Sequence, residues 1–466
     1  MLASVQRSFE TFSDNGILHC HWKSNERLPI FVSGESDLDL LFLPSDKEIV
    51  DYIFKTCGAK QFCVLPKGKY PNILDYLIID EETGKLVHFH VHFGLDIGEK
   101  NVKRFAIPWS NDVLKHRVVD ERVKVWRSST EHELLLLILR ESLRHPISKR
   151  LINAITFRRA KIAEQVLNEF GWLKKRANAR RFDDLVGNFF SEKGVRYQIE
   201  RIFNDGISYP ALVTLSSEMR CFKKKNATMG AMSANLLFLV RLLNARLGWV
   251  KSLLNRPARR VNSRGGTLAV FVGSDGAGKS TVIAGIAKEL ARKVDCKTFY
   301  LGLPKPKSKS ERIIHFGLRK FGLWPLYNLL YKALILQRAR KFSQRGGVAL
   351  CDRFPQSDFD GIMDGPLLSK WRVKSSYFKR TVASLEHWAF KKIQSHSIDL
   401  LIKLNIDART SSERGALPLE TAKKKVKVVR DISFLGASDV SVIDAVANGI
   451  DDVTRIAISA VWKRVK

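Results

Sequence analysis

Three regions with different hydrophobic patterns follow one another along the chain. Over residues 1–128, runs such as KLVHFHVHF alternate apolar and polar positions with a period of two, which predicts strands among helices. From 129 to 264 apolar residues recur at helical spacing, as in EHELLLLILRESLRH, and the region ends in a linker-like stretch, NRPARRVNSRGG. From 265 to 466 short buried-strand runs alternate with helical segments. We therefore predict an α+β domain, a helical middle region with a linker, and an α/β domain with a parallel sheet and flanking helices.

The longest apolar segment is NLLFLVRLLNARLGWVKSLL, residues 235–254. Arg241, Arg246 and Lys251 interrupt it, so we do not expect it to cross a bilayer. The pattern favours a helix packed on a domain, and a helix lying on a membrane surface is the alternative.

Composition adds a strong charge bias to this picture. A hydrophobic content of 45% is typical of a globular protein. The 79 Lys and Arg residues against 47 Asp and Glu residues give a net charge of +32, which indicates an anionic partner: nucleic acid, an acidic membrane surface or phosphorylated substrates. The scattered cysteines contain no C-x-x-C pair and the first residues resemble no signal peptide, so we expect reduced thiols and a cytoplasmic or membrane-peripheral protein.

A phosphate-binding loop follows the first strand run of the third region. Gly273, Gly278, Lys279 and Ser280 match G-x-x-x-x-G-K-[ST], between the strand-like TLAVFV and a helical pattern. In such a loop the backbone N–H groups surround phosphate oxygens, the lysine reaches the β- and γ-phosphates, and the serine hydroxyl binds Mg²⁺. The sequence thus predicts ATP or GTP as ligand with Mg²⁺ as cofactor. Because no N-K-x-D guanine-reading motif occurs, a kinase with ATP is favoured over a GTPase.

A second strand run brings charged residues to the same sheet edge. In GGVALCDRFPQSDFDG, residues 346–361, an apolar strand is followed by Asp352 and Arg353. Ligands of open parallel sheets bind at the carboxyl ends of the strands. Asp352 can hold Mg²⁺ through water, and Arg353 can bridge donor and acceptor phosphates. The alternative is an Asp-Arg pair that merely caps a strand.

These two motifs resemble the thymidylate kinase family, over roughly residues 265–466. The loop resembles that family's form of the motif, and Asp352-Arg353-Phe354 resembles its Asp-Arg-Tyr motif. The resemblance implies that Asp275 faces a sugar hydroxyl of the acceptor, that Arg353 contacts the acceptor phosphate, and that Arg414 is the arginine next to the lid. The predicted nucleotide-binding residues are Gly273, Ser274, Asp275, Gly276, Ala277, Gly278, Lys279, Ser280 and Thr281.

Several features depart from that family. Phe354 stands in place of the tyrosine, no Arg-Glu-Pro follows the second strand, and MDGPLLSKW at 363–371 is not a family feature. The basic run from Lys423 to Arg430 is compatible with a lid or with a solvated surface. We therefore predict phosphoryl transfer catalysed with Lys279, Asp352, Arg353 and Arg414, to an acceptor that is a nucleotide, a nucleoside or a phosphorylated sugar-like molecule.

The amino-terminal domain resembles the nucleotidyltransferase superfamily over residues 15 to about 125. Lys23-Ser24 stands in the turn position, and Asp37 and Asp39 in DLDLL stand where that superfamily has its metal ligands. Asp75 and Asp80 are alternatives for a third carboxylate. His88, His90 and His92 fall on one strand face, and they predict either a metal site or a polar cross-strand surface.

The arrangement of both halves also resembles proteins of bacterial surface-polysaccharide gene regions. The segment 305–345 mixes many cations with aromatic residues, which fits an anionic membrane surface or a phosphorylated acceptor better than nucleic acid, since no nucleic-acid-binding fold is evident. Two further functions stay open: an ATP-binding regulatory module with a degenerate front domain, and a nucleic-acid end-modifying protein. The sequence leaves the oligomeric state open.

Overall fold

The computed structural model forms two compact units. It describes residues 1–63, 70, 72–99, 102–144, 161–246, 259–303, 306, 308–320, 323–372, 376–434 and 436–466. The first unit comprises Met1–Ile78 and Val87–Trp249, and the second comprises Ile79–Leu86 and Val250–Lys466. The helices described from the middle region fall within the first unit. The predicted linker lies partly outside the described residues, as does the end of the apolar segment 235–254, and the boundaries at 128 and 264 stay predictions.

The first unit is an α+β structure. Its strands are β1 (Cys20–His21), β2 (Asp37–Leu41), β3 (Lys60–Phe62), β4 (Ile73–Ile79), β5 (Leu86–His92), β6 (Leu95–Ile97), β7 (Phe105–Ile107), β8 (Val118–Asp120) and β9 (Val125–Arg127). Its helices are α1 (Ala3–Asp14), α2 (Leu28–Val32), α3 (Lys47–Thr56), α4 (Ser110–Lys115), α5 (Thr130–Ser142), α6 (Glu164–Lys174), α7 (Ala179–Phe189), α8 (Lys193–Asp205), α9 (Tyr209–Glu218), α10 (Arg220–Asn226) and α11 (Ala231–Arg246). A seven-stranded sheet has the order β3-β4-β5-β2-β1-β9-β8, and β6 pairs with β7 separately.

Alternation along two neighbouring strands separates a core face from a polar face in that sheet. Val87, Phe89 and Val91 of β5 are fully buried in one hydrophobic cluster, together with Leu38 and Leu40 of β2. Successive side chains of a strand point to opposite faces, so the histidines and aspartates between these residues share the other face. Because β2 and β5 run parallel as neighbours, the polar residues of the two strands lie side by side.

The second unit is an α/β structure with a five-stranded sheet. Its strands are β10 (Thr267–Gly273), β11 (Cys296–Tyr300), β12 (Val348–Asp352), β13 (Leu400–Asn405) and β14 (Val440–Asp444). Its helices are α12 (Lys279–Leu290), α13 (Lys309–Lys320), α14 (Trp324–Gln344), α15 (Tyr377–Gln394), α16 (Ala408–Gly415), α17 (Leu419–Asp431) and α18 (Ile450–Arg464). The order is β11-β12-β10-β13-β14, and every neighbouring pair is parallel. The predicted mixed α/β structure with a parallel sheet is thus confirmed.

The central strand β10 explains why this region has continuous apolar runs. All of its residues are buried, because helices cover both faces of a parallel sheet. Helix α14 contacts β10, β11 and β12, while α12 and α18 pack against each other and also contact β10. Among the helices that the structure describes, none combines the length and the apolar run that a bilayer crossing requires.

Candidate active site

The phosphate loop joins the end of β10 to the start of α12. Gly276 and Gly278 both adopt left-handed backbone conformations, with φ of 79° and 81°, which side chains other than glycine adopt only with strain. Gly278 is the residue that precedes α12, so the helix begins at Lys279 directly behind the loop. The unpaired N–H groups of a helix start favour an anion at this place.

Lys279 lies folded over the loop. Its ammonium donates hydrogen bonds to the carbonyl oxygens of Gly273 and Ser274, both at 2.8 Å. Burial lowers the pKa of Lys279, and the positive charge of Arg353 lowers it further. The Lys279 side chain is thus held at the loop. A small movement away from the two carbonyl oxygens would bring its ammonium to a phosphate bound in the loop.

Ser280 and Asp352 form an oxygen-rich corner beside the loop. The Ser280 hydroxyl donates to Asp352 Oδ2 at 3.2 Å, and Asp352 ends β12, the parallel neighbour of β10. Asp352 Oδ1 is buried and has no hydrogen-bond partner among the described residues. A hydroxyl and a carboxylate are the hard oxygen ligands that Mg²⁺ prefers, so these two residues fit the predicted metal.

Arg353 lies between two carboxylates. Its guanidinium nitrogens are 3.6 Å from Asp275 Oδ1 and 3.4 Å from Asp364 Oδ2. Its backbone has φ of 72°, a left-handed conformation that costs about 1–3 kcal/mol for a residue with a side chain. The contact with Asp275 holds the guanidinium of Arg353 beside the phosphate loop.

Asp364 in turn contacts a buried lysine. Lys332 of α14 donates to the Asp364 carbonyl at 3.1 Å and approaches Asp364 Oδ1 at 3.4 Å. The two side chains are only 1% and 6% exposed. Gln356 fixes the loop that carries Asp364, because its amide donates to the carbonyls of Phe359 and Ile362 at 2.7 Å.

Neither Lys332 nor Asp364 stands out in the sequence as a site residue. Asp364 belongs to the MDGP stretch, which departs from the thymidylate kinase pattern, and Lys332 is one cation among many in a basic segment. One local signal existed: Asn328, Lys332 and Leu336 follow one another at helical spacing on the buried face of α14. A lysine on such a face needs an acidic partner.

Helix α16 packs on the phosphate loop from the other side. The Ser411 hydroxyl donates to the Asp275 carbonyl at 2.9 Å. A Cβ added at Gly276 would lie only 2.7 Å from the Cβ of Arg414, so the backbone of Arg414 closely approaches the loop. Arg414 thus lies beside the phosphate loop, and its role as the catalytic arginine next to the lid stays a prediction.

The carboxylate of Asp275 contacts two cations. In addition to Arg353, Lys425 of the basic run on α17 donates a hydrogen bond to it. Burial raises the pKa of Asp275, but the hydrogen bond from Lys425 and the two positive charges outweigh burial and hold the pKa below its usual value. The predicted contact of Asp275 with an acceptor hydroxyl stays a prediction.

The remaining predicted loop residues differ in exposure. Ser274 is buried, and within the described part of the chain its hydroxyl has no hydrogen-bond partner. Ala277 is buried, and its Cβ lies 3.1 Å from the position that a Cβ on Gly273 would take. Thr281 is exposed in the first turn of α12.

The basic, aromatic segment forms helices α13 and α14 where it is described. Several of its apolar side chains are exposed, namely Ile313, Ile314, Phe316, Leu326, Leu330 and Leu334. Cations of the same helices accompany them, including Arg312, Arg319 and Arg338. An anionic membrane surface or an acceptor as the partner of this segment stays a prediction.

In the first unit, the predicted metal ligands Asp37 and Asp39 lie on the strand next to β5, which carries the three histidines. Asp37 and Asp39 of β2 are paired in register with His88 and His90 of β5. Of the two alternatives for a third acid, Asp75 lies beside His88 and His90. Asp80, which belongs to the second unit, instead accepts hydrogen bonds from the Thr83 backbone and hydroxyl in a turn. The likeness of this unit to a nucleotidyltransferase stays a prediction.

Comparisons with known proteins give relatives of parts of the chain. No protein-family model matches it. The chain is 26% identical over 210 residues to an uncharacterized ATP-binding protein, YghS of Escherichia coli K12, covering 38% of this chain and 85% of that protein. It is 27% identical over 174 residues to an uncharacterized ATP-binding protein of the same strain, YghR, covering 32% of this chain and 68% of YghR.

Two solved kinase structures also align with part of the chain. A deoxyadenosine kinase from M. mycoides aligns with a TM-score of 0.27 and 17% identity, over 41% of this chain and 96% of that one. A thymidylate kinase from Candida albicans aligns with a TM-score of 0.29 and 17% identity, over 41% of this chain and 89% of that one.

Proposed function

We propose that the second unit is an ATP- and Mg²⁺-dependent phosphotransferase that acts on a small acceptor carrying a phosphate group. One observation carries the proposal: Arg353 is held between Asp275 and Asp364, next to the corner formed by Ser280 and Asp352. A protein that only binds and senses a nucleotide needs the phosphate loop and the Mg²⁺ ligands Ser280 and Asp352. It does not need an additional arginine whose carboxylate partner is held by a buried lysine. The description of YghS and YghR as ATP-binding proteins favours ATP as the nucleotide.

Each residue of the phosphate loop and of the adjacent sheet edge would have a separate role in phosphoryl transfer. Backbone N–H groups of the loop would receive the phosphates of ATP, and Lys279 would exchange its loop carbonyls for phosphate oxygens. Ser280 and Asp352 would hold Mg²⁺, which supplies neutralisation of phosphate charge. Arg353 and Arg414 would stabilise the charge of the transferring phosphoryl group.

The cations near Asp275 favour an anionic acceptor. Arg353 and Lys425 both contact that carboxylate, so an acceptor phosphate that arrives there finds two positive charges within reach. A nucleotide or a phosphorylated sugar-like molecule fits this description, whereas a nucleoside, the third predicted acceptor class, lacks the phosphate. We also propose that the amino-terminal domain acts as a nucleotidyltransferase-like domain on the product or a related substrate, in surface-polysaccharide metabolism.

The test is incubation of the full chain with γ-labelled ATP and Mg²⁺ against a panel of nucleotides, nucleosides, sugar phosphates and lipid-linked acceptors, followed by identification of the labelled product. We expect one acceptor class to be labelled, and Lys279→Ala to reduce labelling at least about a hundredfold. Lys288→Ala is the matched control, because Lys288 is exposed on the same helix and should leave labelling unchanged.

Two outcomes would reject the proposal. Tight ATP binding with no labelled product from any acceptor would favour a regulatory module. Label that appears only on RNA or DNA ends, with binding that weakens steeply as salt rises, would favour a nucleic-acid end-modifying protein.

A further inference from the structure

Histidine and aspartate side chains converge on the polar face of the sheet in the first unit, away from the site proposed for phosphotransfer. The parallel pairing of β2 with β5 sets Asp39 opposite His90, and alternation adds His88 and His92 on the same strand face. Asp75 on the neighbouring strand β4 completes the group.

The distances assign different roles to the three histidines. His88 is enclosed by acids: its Nδ1 lies 2.9 Å from Asp37 Oδ1, and its Nε2 bonds to Asp75 Oδ1 at 2.7 Å. Both of its ring nitrogens therefore face carboxylates within the sheet. This position suits an orienting residue and not a metal ligand.

His90 and His92 are placed differently. His90 Nδ1 bonds to Asp75 Oδ1 at 2.9 Å, and since a carboxylate only accepts, the proton lies on Nδ1 and the lone pair on Nε2. An imidazole whose other nitrogen donates to a carboxylate is the usual arrangement of a metal-binding histidine. His92 Nε2 approaches Asp39 Oδ1 at 3.3 Å, a long hydrogen bond that an ion can replace at small cost.

One ligand atom each from Asp39, His90 and His92 lies within 4.8 Å of the other two. The imidazole of His92 is fully buried, and its Nδ1 finds no hydrogen-bond partner among the described residues. The ring thus makes one weak polar contact, at Nε2, and this is the contact that a bound ion would replace. Two imidazoles and a carboxylate form a donor set for a divalent transition metal, whereas Mg²⁺ prefers oxygen ligands.

The cluster borders an open space. Asp39 lines a cavity of about 510 Å³ whose wall also contains Lys23, Arg27, Asp37, Lys103 and Arg140. An ion bound by three protein ligands at this border would keep coordination positions toward the cavity, as catalytic metal sites do.

We propose that Asp39, His90 and His92 bind a divalent transition-metal ion at the border of this cavity, with Asp75 orienting His90. The set differs from the Asp37–Asp39 pair that the sequence predicts, because Asp37 faces His88. The site lies within the first unit and does not depend on the phosphotransfer proposed for the second.

Lys23 provides a sharp test, because its ammonium lies 2.9 Å from Asp39 Oδ1. In the ion-free protein Lys23 balances the charge that the metal would balance, so the ion must displace it. A Lys23→Met variant should therefore bind the ion about tenfold more tightly, since two unit charges at this distance attract by about 1.4 kcal/mol even at the dielectric constant of water, which is a factor of ten in affinity. A structural ion pair without a metal function predicts no such gain.

The experiment uses the metal-stripped full chain without nucleotide, titrated with Co²⁺ by absorption spectroscopy and with Zn²⁺ by calorimetry. We expect one ion per chain, at least tenfold weaker binding in His90→Ala and in His92→Gln, and unchanged binding in His116→Ala. His116 is the matched control because it belongs to a second cluster, with Asp112 and His132, that has a similar donor set. His90 also belongs to a cluster with Asp75 and His88, so His90→Ala together with the Lys23→Met gain at Asp39 carries the test should His92→Gln fail to fold.

Three results would overturn the proposal. The first is that no ion binds at concentrations of about 0.1 mM, which corresponds to a binding free energy of about −5 kcal/mol. The second is that His90→Ala leaves binding intact, and the third is that His116→Ala abolishes it. Displacement of Co²⁺ by an equal concentration of Mg²⁺ would also contradict the assignment of nitrogen ligands.

Discussion

The buried ion pair between Lys332 and Asp364 makes the second unit sensitive to the loss of a single charge. Lys332 lies on the inner face of α14, and its ammonium contacts both the carbonyl and the carboxylate of Asp364. An Asp364→Asn variant keeps the carbonyl and the approximate shape of the side chain but removes the negative charge. Lys332 then remains buried without its nearest counter-charge.

The expected loss of stability follows from the distance. At 3.4 Å and an effective dielectric constant of about 20, the attraction between the two charges is about 5 kcal/mol. Removing one partner of a buried pair typically costs about 3–5 kcal/mol. Burial already lowers the pKa of Lys332, so loss of its proton offers the variant a way to limit the cost. We expect the free energy of unfolding of the second unit to fall by about 3 kcal/mol.

A double variant separates the effect of charge from the effect of shape. In Asp364→Asn with Lys332→Met both charges are gone, and the methionine fills most of the space of the lysine stem. We expect the double variant to recover to within about 1–2 kcal/mol of the parent protein. Asp360→Asn is the matched control, because Asp360 pairs with Arg372 when both side chains are about one-third exposed, and such pairs contribute at most about 1 kcal/mol.

Hydrogen exchange at the amides of β12 is the suitable assay, since it reports on the second unit alone. Urea titration of amide protection in the four proteins gives the differences in free energy. A loss below about 1 kcal/mol in Asp364→Asn would refute the reasoning, since removing a buried partner should cost several times that. So would a double variant that is less stable than the single one, because the cost would then not arise from an unpaired buried charge.

Three further predictions concern the loop, the arginine and pH. Gly276→Ala should weaken ATP binding at least about tenfold, because a left-handed φ is strained with a side chain and the new Cβ would meet Arg414 at 2.7 Å. Arg353→Lys should reduce turnover about 10²–10³-fold at saturating ATP, because a lysine cannot span two carboxylates and a phosphate. Burial lowers the pKa of His21 to about 4, so this residue should remove about 3 kcal/mol of stability from the first unit as pH falls from the unfolded value near 6.5 to 4. Burial lowers the pKa of His19 to about 4 as well, so His21→Gln should reduce the pH slope of unfolding without abolishing it.

Each of these predictions has a control on the same kind of element. Gly317→Ala adds a Cβ in open space on α13 and should leave ATP binding unchanged. Lys288→Ala should leave turnover unchanged. His116→Gln changes an exposed histidine and should keep the pH slope of unfolding. Equal effects of a variant and its control would contradict the corresponding prediction.

The parts of the site that sequence could predict are those that local patterns encode. The glycines, Lys279 and Ser280 follow a buried strand within a few residues, and Asp352 and Arg353 directly end another, so their meeting at one sheet edge follows from parallel topology. The contact of Arg353 with Asp364, and of Asp364 with Lys332, could not be predicted from local patterns. Asp364 and Lys332 are 32 residues apart and meet only because α14 packs behind the loop that carries Asp364.

The first unit shows the same division between local and long-range information. Alternation predicted that His88, His90 and His92 share one face. Which of them faces acids on both sides, and which can offer a lone pair, depends on the register between β2 and β5 and on the position of Asp75 on β4. A register shift of one residue would exchange the two faces, and the sequence of either strand alone does not define it.

The two carboxylates that flank Arg353 have a consequence for how any anion enters the site. They occupy the guanidinium in advance, so an arriving phosphate exchanges partners with Asp275 or Asp364 and does not neutralise a solitary charge. Because the arginine loses a contact with a carboxylate for each contact that it gains with phosphate, the net affinity for phosphate is small. The arginine stays ordered throughout the exchange. In the proposed phosphotransferase this arrangement would favour rapid release over tight retention, and it would favour anionic acceptors over neutral ones, because a neutral molecule has no charge to exchange with the carboxylates.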